Sequence, residues 1–114
     1  MEVKLYRGQV LSQVGGQRVF VETDRGIVRE LDPKPSQKIN NHSPDGFSWG
    51  YGGSGPAQLA LALLLDCYGE QFAKENYQDF KWDKIATLPM DKGFILSFSE
   101  IDAWVTNRKP EAKE

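Results

Sequence analysis

The chain has one cysteine, one histidine, a small net charge and no long apolar run, and each shortage removes a class of function. A single cysteine, Cys67, rules out an internal disulfide and any multi-cysteine metal site. With His42 as the one histidine, no zinc-type ligand set is spaced along the sequence, and no metal is expected. Cys67 follows an apolar stretch and reads as a small buried side chain. The 14 basic residues against 16 acidic ones leave a formal charge of -2. No broad field therefore draws nucleic acid or an anionic membrane, and no arginine-rich stripe is present. The acidity is also too sparse to imitate DNA. The apolar run Leu59 to Leu65 is far shorter than the ~20 residues that cross a bilayer. The N-terminal Met1-Glu2-Val3-Lys4-Leu5-Tyr6-Arg7 alternates like a strand and lacks the apolar core of a secretory signal. The expected setting is the cytoplasm, with no membrane association and no cofactor. At 114 residues the chain suits one domain, expected over 1–108, with a charged, disordered tail at 109–114.

What the chain has in concentration is glycine, around residue 52. Phe47-Ser48-Trp49-Gly50-Tyr51-Gly52-Gly53-Ser54-Gly55-Pro56 runs straight into Ala57-Gln58-Leu59-Ala60-Leu61-Ala62-Leu63-Leu64-Leu65. Glycines at 50, 52, 53 and 55 allow positive φ and close backbone approach. Pro56 suits the first position of a helix, where its missing N–H costs nothing. A helix start beneath such a loop offers free backbone N–H groups and the positive end of the helix dipole to an anion.

Around this turn the pattern is α+β. Val3 to Leu11, Arg18 to Thr23 and Ile27 to Leu31 alternate as three strands of a meander, with turns at Gly15-Gly16 and Thr23-Asp24-Arg25-Gly26. Such a sheet needs a covering helix. Residues 32–46, with three prolines and many turn formers, read as a long loop and not a helix. Pro56 to about Tyr68 reads as a helix buried nearly all round, stopped by Gly69. Residues 70–88 carry apolar positions at helical spacing and predict one broken helix or two short ones. Phe94, Leu96 and Phe98 alternate as a fourth strand. Ser99 with Asp102 resembles a capping box before a short last helix that buries Ile101, Trp104 and Val105. The expected fold is thus a small antiparallel sheet packed on a buried central helix with two or three shorter helices.

Gly50 to Gly55 fits G-x-G-x-x-G literally, but it follows a turn-rich segment, not an apolar strand, so a dinucleotide fold is not implied. No lysine follows the last glycine as a phosphate-binding loop requires. The candidate ligand-binding residues are His42, Trp49, Tyr51, Gly52, Gly53, Ser54, Gly55 and Gln58. Ser54 is placed to cap the helix or donate to a phosphate, Ala57 and Gln58 to offer free N–H groups, and Trp49 and Tyr51 to stack on a flat ligand. The competing reading makes the glycines a close-packing device and Trp49 and Tyr51 core anchors. His42 with Ser54 and Asp45 or Asp66 names the residues of a hydrolytic constellation, but the G-x-S-x-G elbow is incomplete. No catalytic residue is assigned. Asp79, Asp83 and Asp91 are scattered in a lysine-rich segment and form no acid–base pair. Arg29, Lys34 and Lys38 near the loop read as ordinary surface.

The stretch Asn41-His42-Ser43-Pro44-x-Gly46-Phe47-x-Trp49-Gly50-Tyr51-Gly52-Gly53-Ser54-Gly55-Pro56-Ala57-Gln58-Leu59-Ala60-Leu61-Ala62 resembles an uncharacterised family of small proteins encoded by bacteria, their phages and other mobile elements. Tyr77-Gln78-Asp79-Phe80-Lys81, Leu88-Pro89 and Glu100-Ile101-x-x-Trp104 resemble the same pattern. The resemblance implies a genomic setting, and that His42 and the turn from Trp49 to Pro56 belong to the motif. It brings no catalytic residues. The expected function is a non-enzymatic binding protein of phage or mobile-element type. It would antagonise a host process through a host or phage protein partner, or through a sequestered small anionic ligand such as a nucleotide. The alternative is a nucleotide-binding or hydrolytic enzyme using the glycine-rich turn and His42. A homo-oligomer, completing the apolar helix with a second copy, stays open.

Overall fold

Alternation drives the first half of the chain into a meander: β1 (Lys4–Ser12), β2 (Gly15–Thr23) and β3 (Gly26–Glu30). The structure, a computed structural model, describes residues 3–12 and 15–112. Late in the chain β4 (Phe94–Ser97) joins the far side of β1, giving an antiparallel sheet of order β3-β2-β1-β4. The fold is α+β, as the sequence pattern requires. Tyr6, Val19, Val21, Phe94 and Leu96 fall on one face and are buried. Arg7 and Glu22 fall on the other and pair at 2.9 Å. The expected turn at Gly15-Gly16 is instead the start of β2, with Gly15 paired to Ser12; residues 13 and 14 lie outside the described residues.

The sheet is covered by α2 (Ser54–Tyr68), which is buried continuously from Gly55 to Leu64. α2 meets the sheet through Tyr6 and Asp66 and meets α3 (Glu70–Phe80) on another side. Gly69 ends α2 with φ +94°, a value that favours glycine, and its N–H closes on the Leu65 carbonyl at 3.0 Å. α2 begins at Ser54, so Pro56 sits in its first turn but not at its first position.

Several boundaries differ from the sequence reading, each for a local reason. Residues 34–39 form a helix, α1 (Lys34–Ile39), within the expected loop. Pro33 caps it and Pro35 lies in its first turn, where a missing N–H is tolerated. The Asp32 carboxylate also accepts the Lys34 N–H at 2.9 Å. After α3 the chain continues as a π-helical turn, Lys81–Ile85, closed by the Ala86 N–H on the Lys81 carbonyl at 2.8 Å. β4 stops at Ser97, because Phe98 opens α4 (Phe98–Ala112). The capping box lies two residues earlier than expected. Ser97 Oγ accepts the Glu100 N–H at 3.0 Å, and Glu100 Oε1 accepts the Ser97 N–H at 2.9 Å. Asp102 instead accepts the Tyr68 hydroxyl at 2.7 Å. The last helix is longer than expected, running to Ala112; the remainder of the chain lies outside the described residues. Cys67 is half-buried, not fully buried.

Candidate functional site

Gln58 sits on the second turn of α2, fully buried, and fills every hydrogen-bonding position of its amide within the chain. Its Oε1 accepts the backbone N–H of His42 at 2.7 Å and of Ser43 at 2.9 Å. Its Nε2 donates to Ser36 Oγ at 2.9 Å and to the Asn40 carbonyl at 3.2 Å. A buried amide is tolerable only when so satisfied. Gln58 thereby clamps α1 and the following loop onto α2 and offers nothing to a ligand. The His42 ring lies against α3, with Nε2 2.6 Å from the Tyr77 hydroxyl. Among the described residues no hydrogen bond joins His42 to Ser54, Asp45 or Asp66.

The two aromatics of the turn separate. Trp49 is 1% exposed, with its indole N–H donated to the Lys92 carbonyl at 2.8 Å and its ring edge-on to Phe94 at 4.8 Å. It is a core anchor and has no face free for stacking. Tyr51 is 44% exposed, its hydroxyl 2.9 Å from Ser48 Oγ.

The glycines mark four close approaches in succession. Gly50 has φ +91° and lies against the backbone of Met90, where a Cβ would meet Cα at 2.4 Å. A Cβ on Gly52 would meet the Trp82 ring at 2.2 Å, and one on Gly53 the Tyr51 ring at 2.5 Å. Gly55 is buried beside Ser48. The turn is therefore overlain by Met90, Trp82 and Tyr51, all three of them exposed. Trp82 and Met90 were not singled out by sequence reasoning; they lie some 30 residues beyond the turn, and only the π-helical turn and its loop bring them back. A lone tryptophan at an otherwise polar position was the available signal.

Lys81 completes the arrangement. Its side chain is buried, with the ammonium 4.3 Å from the Trp82 ring centroid and 3.4 Å from the Gly52 carbonyl. α2 begins beside it with no side-chain cap and no acidic residue in its first turn. The Ala57 N–H is taken by the Gly53 carbonyl at 3.1 Å, so the donors left open are those of Ser54 and Gly55, not Ala57 and Gln58. Ser54 itself is exposed. On the far side of the 43–48 segment a cleft of about 600 Å³ opens toward Arg18 and Glu30; none of the candidate residues lines it.

At the other end of α2, Asp66 joins helix to sheet. It accepts the Tyr6 hydroxyl at 2.5 Å and Arg29 Nη2 at 2.9 Å, with Lys4 Nζ at 3.3 Å. Burial opposes its charge, but the bonds from Tyr6 and Arg29 and the charges of Lys4 and Arg29 outweigh it and hold its pKa below the ordinary carboxylate value. Burial pushes the Cys67 thiol up, with the Asp66 and Asp102 charges adding to the rise and Tyr6 and Lys4 opposing it, so the thiol is not an activated nucleophile.

No helix among the described residues is long and apolar enough to cross a membrane, and no cluster of metal-ligating side chains occurs among them. No curated protein and no solved structure matches the chain. A family model does match residues 6–107, nearly the whole sequence. The chain belongs to DUF6166, a family of unknown function.

Proposed function

We propose that the chain is a non-enzymatic binding protein whose contact surface is the glycine-rich turn with the side chains laid over it. The observation that carries this reading is the exposed trio of Trp82, Tyr51 and Met90 seated on Gly52, Gly53 and Gly50. Large apolar side chains grouped on a surface are costly unless something covers them, and an exposed tryptophan is a typical anchor in a protein contact. The partner in this reading is a host or phage protein, and the setting is a phage or mobile element acting against a host process. Against catalysis stands the engagement of the His42 ring Nε2 with the Tyr77 hydroxyl, with no hydrogen bond from His42 to Ser54, Asp45 or Asp66 among the described residues.

A small anionic ligand is the second reading, supported by the uncapped start of α2 beside Lys81. The two are separated by one pair of measurements. Wild-type chain and Trp82→Ala are used as bait, and each protein captured is purified and remixed with both. In parallel, melting is followed with nucleotides, cyclic nucleotides and phosphate. Direct binding of a purified protein, lost in Trp82→Ala, supports the contact surface. A saturable rise in melting temperature with a nucleotide favours the ligand. Turnover of a substrate abolished by Ser54→Ala or His42→Ala would sink the non-enzymatic reading.

A further inference from the structure

We infer that the surface around Trp82 docks an acidic segment of a partner protein, one that carries an apolar side chain beside its carboxylates. This rests on the reading of the turn as a protein-contact surface and adds the chemistry of what it contacts.

The apolar half of the surface is formed by Trp82, Tyr51 and Met90, exposed at 58%, 44% and 59%. They stand against Gly52, Gly53 and Gly50, within four residues of one turn. The charged half lies beneath and beside it. Lys81 is only 7% exposed, yet no carboxylate pairs with it among the described residues. Its one hydrogen bond, to the Gly52 carbonyl at 3.4 Å, is at the long end of the useful range. Two residues further on, α2 starts with open N–H groups and no acidic residue to offset its dipole. Asp83, the acid next to Trp82, is turned away and accepts the Trp104 indole N–H at 2.8 Å. Asp91 and Lys92, both exposed beside Met90, offset one another.

The patch is thus apolar with an unbalanced positive interior. The Lys81 ammonium has the Trp82 ring and one long carbonyl bond but no anion beside it, so an incoming carboxylate supplies the missing counter-charge. Complementarity fixes the sign of the partner, and the exposed rings fix the need for an apolar anchor next to that charge.

Trp82 supplies its own reporter, since Trp49 and Trp104 are buried. First, tryptophan emission is quenched with iodide and with caesium at equal ionic strength. The iodide-to-caesium quenching ratio of the accessible tryptophan should be at least twofold higher than that of free N-acetyltryptophanamide; a ratio equal to or below that of the free compound overturns the positive surface. Next, acetylated, amidated pentapeptides with a central Phe or Leu flanked by Glu, or by Lys, are titrated while Trp82 emission is followed. The Glu-flanked peptides should bind, weaken with added salt, and lose at least tenfold in affinity in Lys81→Met and in Trp82→Ala, the affinities of wild type and both variants being compared by titration calorimetry. The exposed Trp82→Ala change keeps the test valid if Lys81→Met fails to fold. Binding of neither set, or of the Lys-flanked set equally well, overturns the inference. So does a nucleotide that binds more tightly than any peptide, or dimerisation of the chain itself through Trp82. A purified protein partner that binds through Trp82 without any carboxylate at the contact would overturn this inference while leaving the contact surface standing.

Discussion

The backbone N–H of His42 is held at 2.7 Å by the side-chain oxygen of Gln58, a residue with no exposed surface. The Gln58 side chain thereby fixes the main chain at His42. Replacing Gln58 with alanine strands the Ser43 N–H, leaves the His42 N–H only its longer 3.2 Å bond to the Asn40 carbonyl, and removes the donor to Ser36 Oγ. We expect a loss of about 2–4 kcal/mol in urea unfolding, with the native near-ultraviolet spectrum retained at low denaturant. A loss below about 0.5 kcal/mol, the range of ordinary surface changes, would show that the clamp is dispensable.

The contact of the His42 ring with the Tyr77 hydroxyl predicts coupling between loop and α3. His42→Ala and Tyr77→Phe should each destabilise the chain, and the double variant by less than their sum. A cycle of unfolding measurements should give an interaction of about 0.5–1.5 kcal/mol. Strict additivity would leave His42 without a structural partner and return it to the list of candidate binding groups.

The glycines of the turn should not respond alike. Gly50 combines φ +91° with the Met90 backbone, which cannot step aside, so Gly50→Ala is expected to cost about 2–4 kcal/mol. Gly52 faces the outer end of the Trp82 ring, which is exposed and free to move. Gly52→Ala should cost under about 1 kcal/mol while changing the emission and quenching of Trp82. Thermal melts and fluorescence on the two variants check this; equal costs would mean that the ring over Gly52 is as fixed as the backbone over Gly50.

Asp66 predicts a pH dependence of known sign. Its pKa is lowered by folding, so its stabilisation is present above the unfolded value, about 4, and fades as pH falls through the folded one. Asp66→Asn keeps an acceptor for Tyr6 but removes the charge that holds Arg29 and Lys4. The variant should be less stable than wild type by about 1–3 kcal/mol at pH 7, and the gap should narrow as the pH falls below the unfolded carboxylate value. Melting curves from pH 2.5 to 7.5 test it. A gap that stays constant over that range would assign the loss to packing and not to charge.

How much of this was legible in the sequence differs between the fold and the site. The meander was written in period-two alternation, α2 in an unbroken apolar run, and its end in Gly69, because those signals act within a few residues. α1 was hidden because Pro33 and Pro35, read as breakers, serve as starters once Asp32 and Gln58 satisfy the backbone around them. The capping box was misplaced by two residues because Ser97 and Ser99 look alike until the end of β4 fixes which one turns. At the site, Trp49 and Tyr51 are equivalent as letters. Only packing against Phe94 sends one inward and leaves the other in solvent.

The sequence by itself determined the α+β class, the need for a buried central helix and the place of the glycine-rich turn. Each follows from local periodicity and from the freedom glycine gives the backbone. The tertiary structure alone decided what that turn is for the molecule. Gln58 became a clamp because four backbone and side-chain groups from residues 36–43 converge on its amide. Trp82 and Lys81 became part of the surface because a π-helical turn returns them over glycines far away in sequence. Contacts across such separations depend on how every intervening element packs, and no local pattern encodes them.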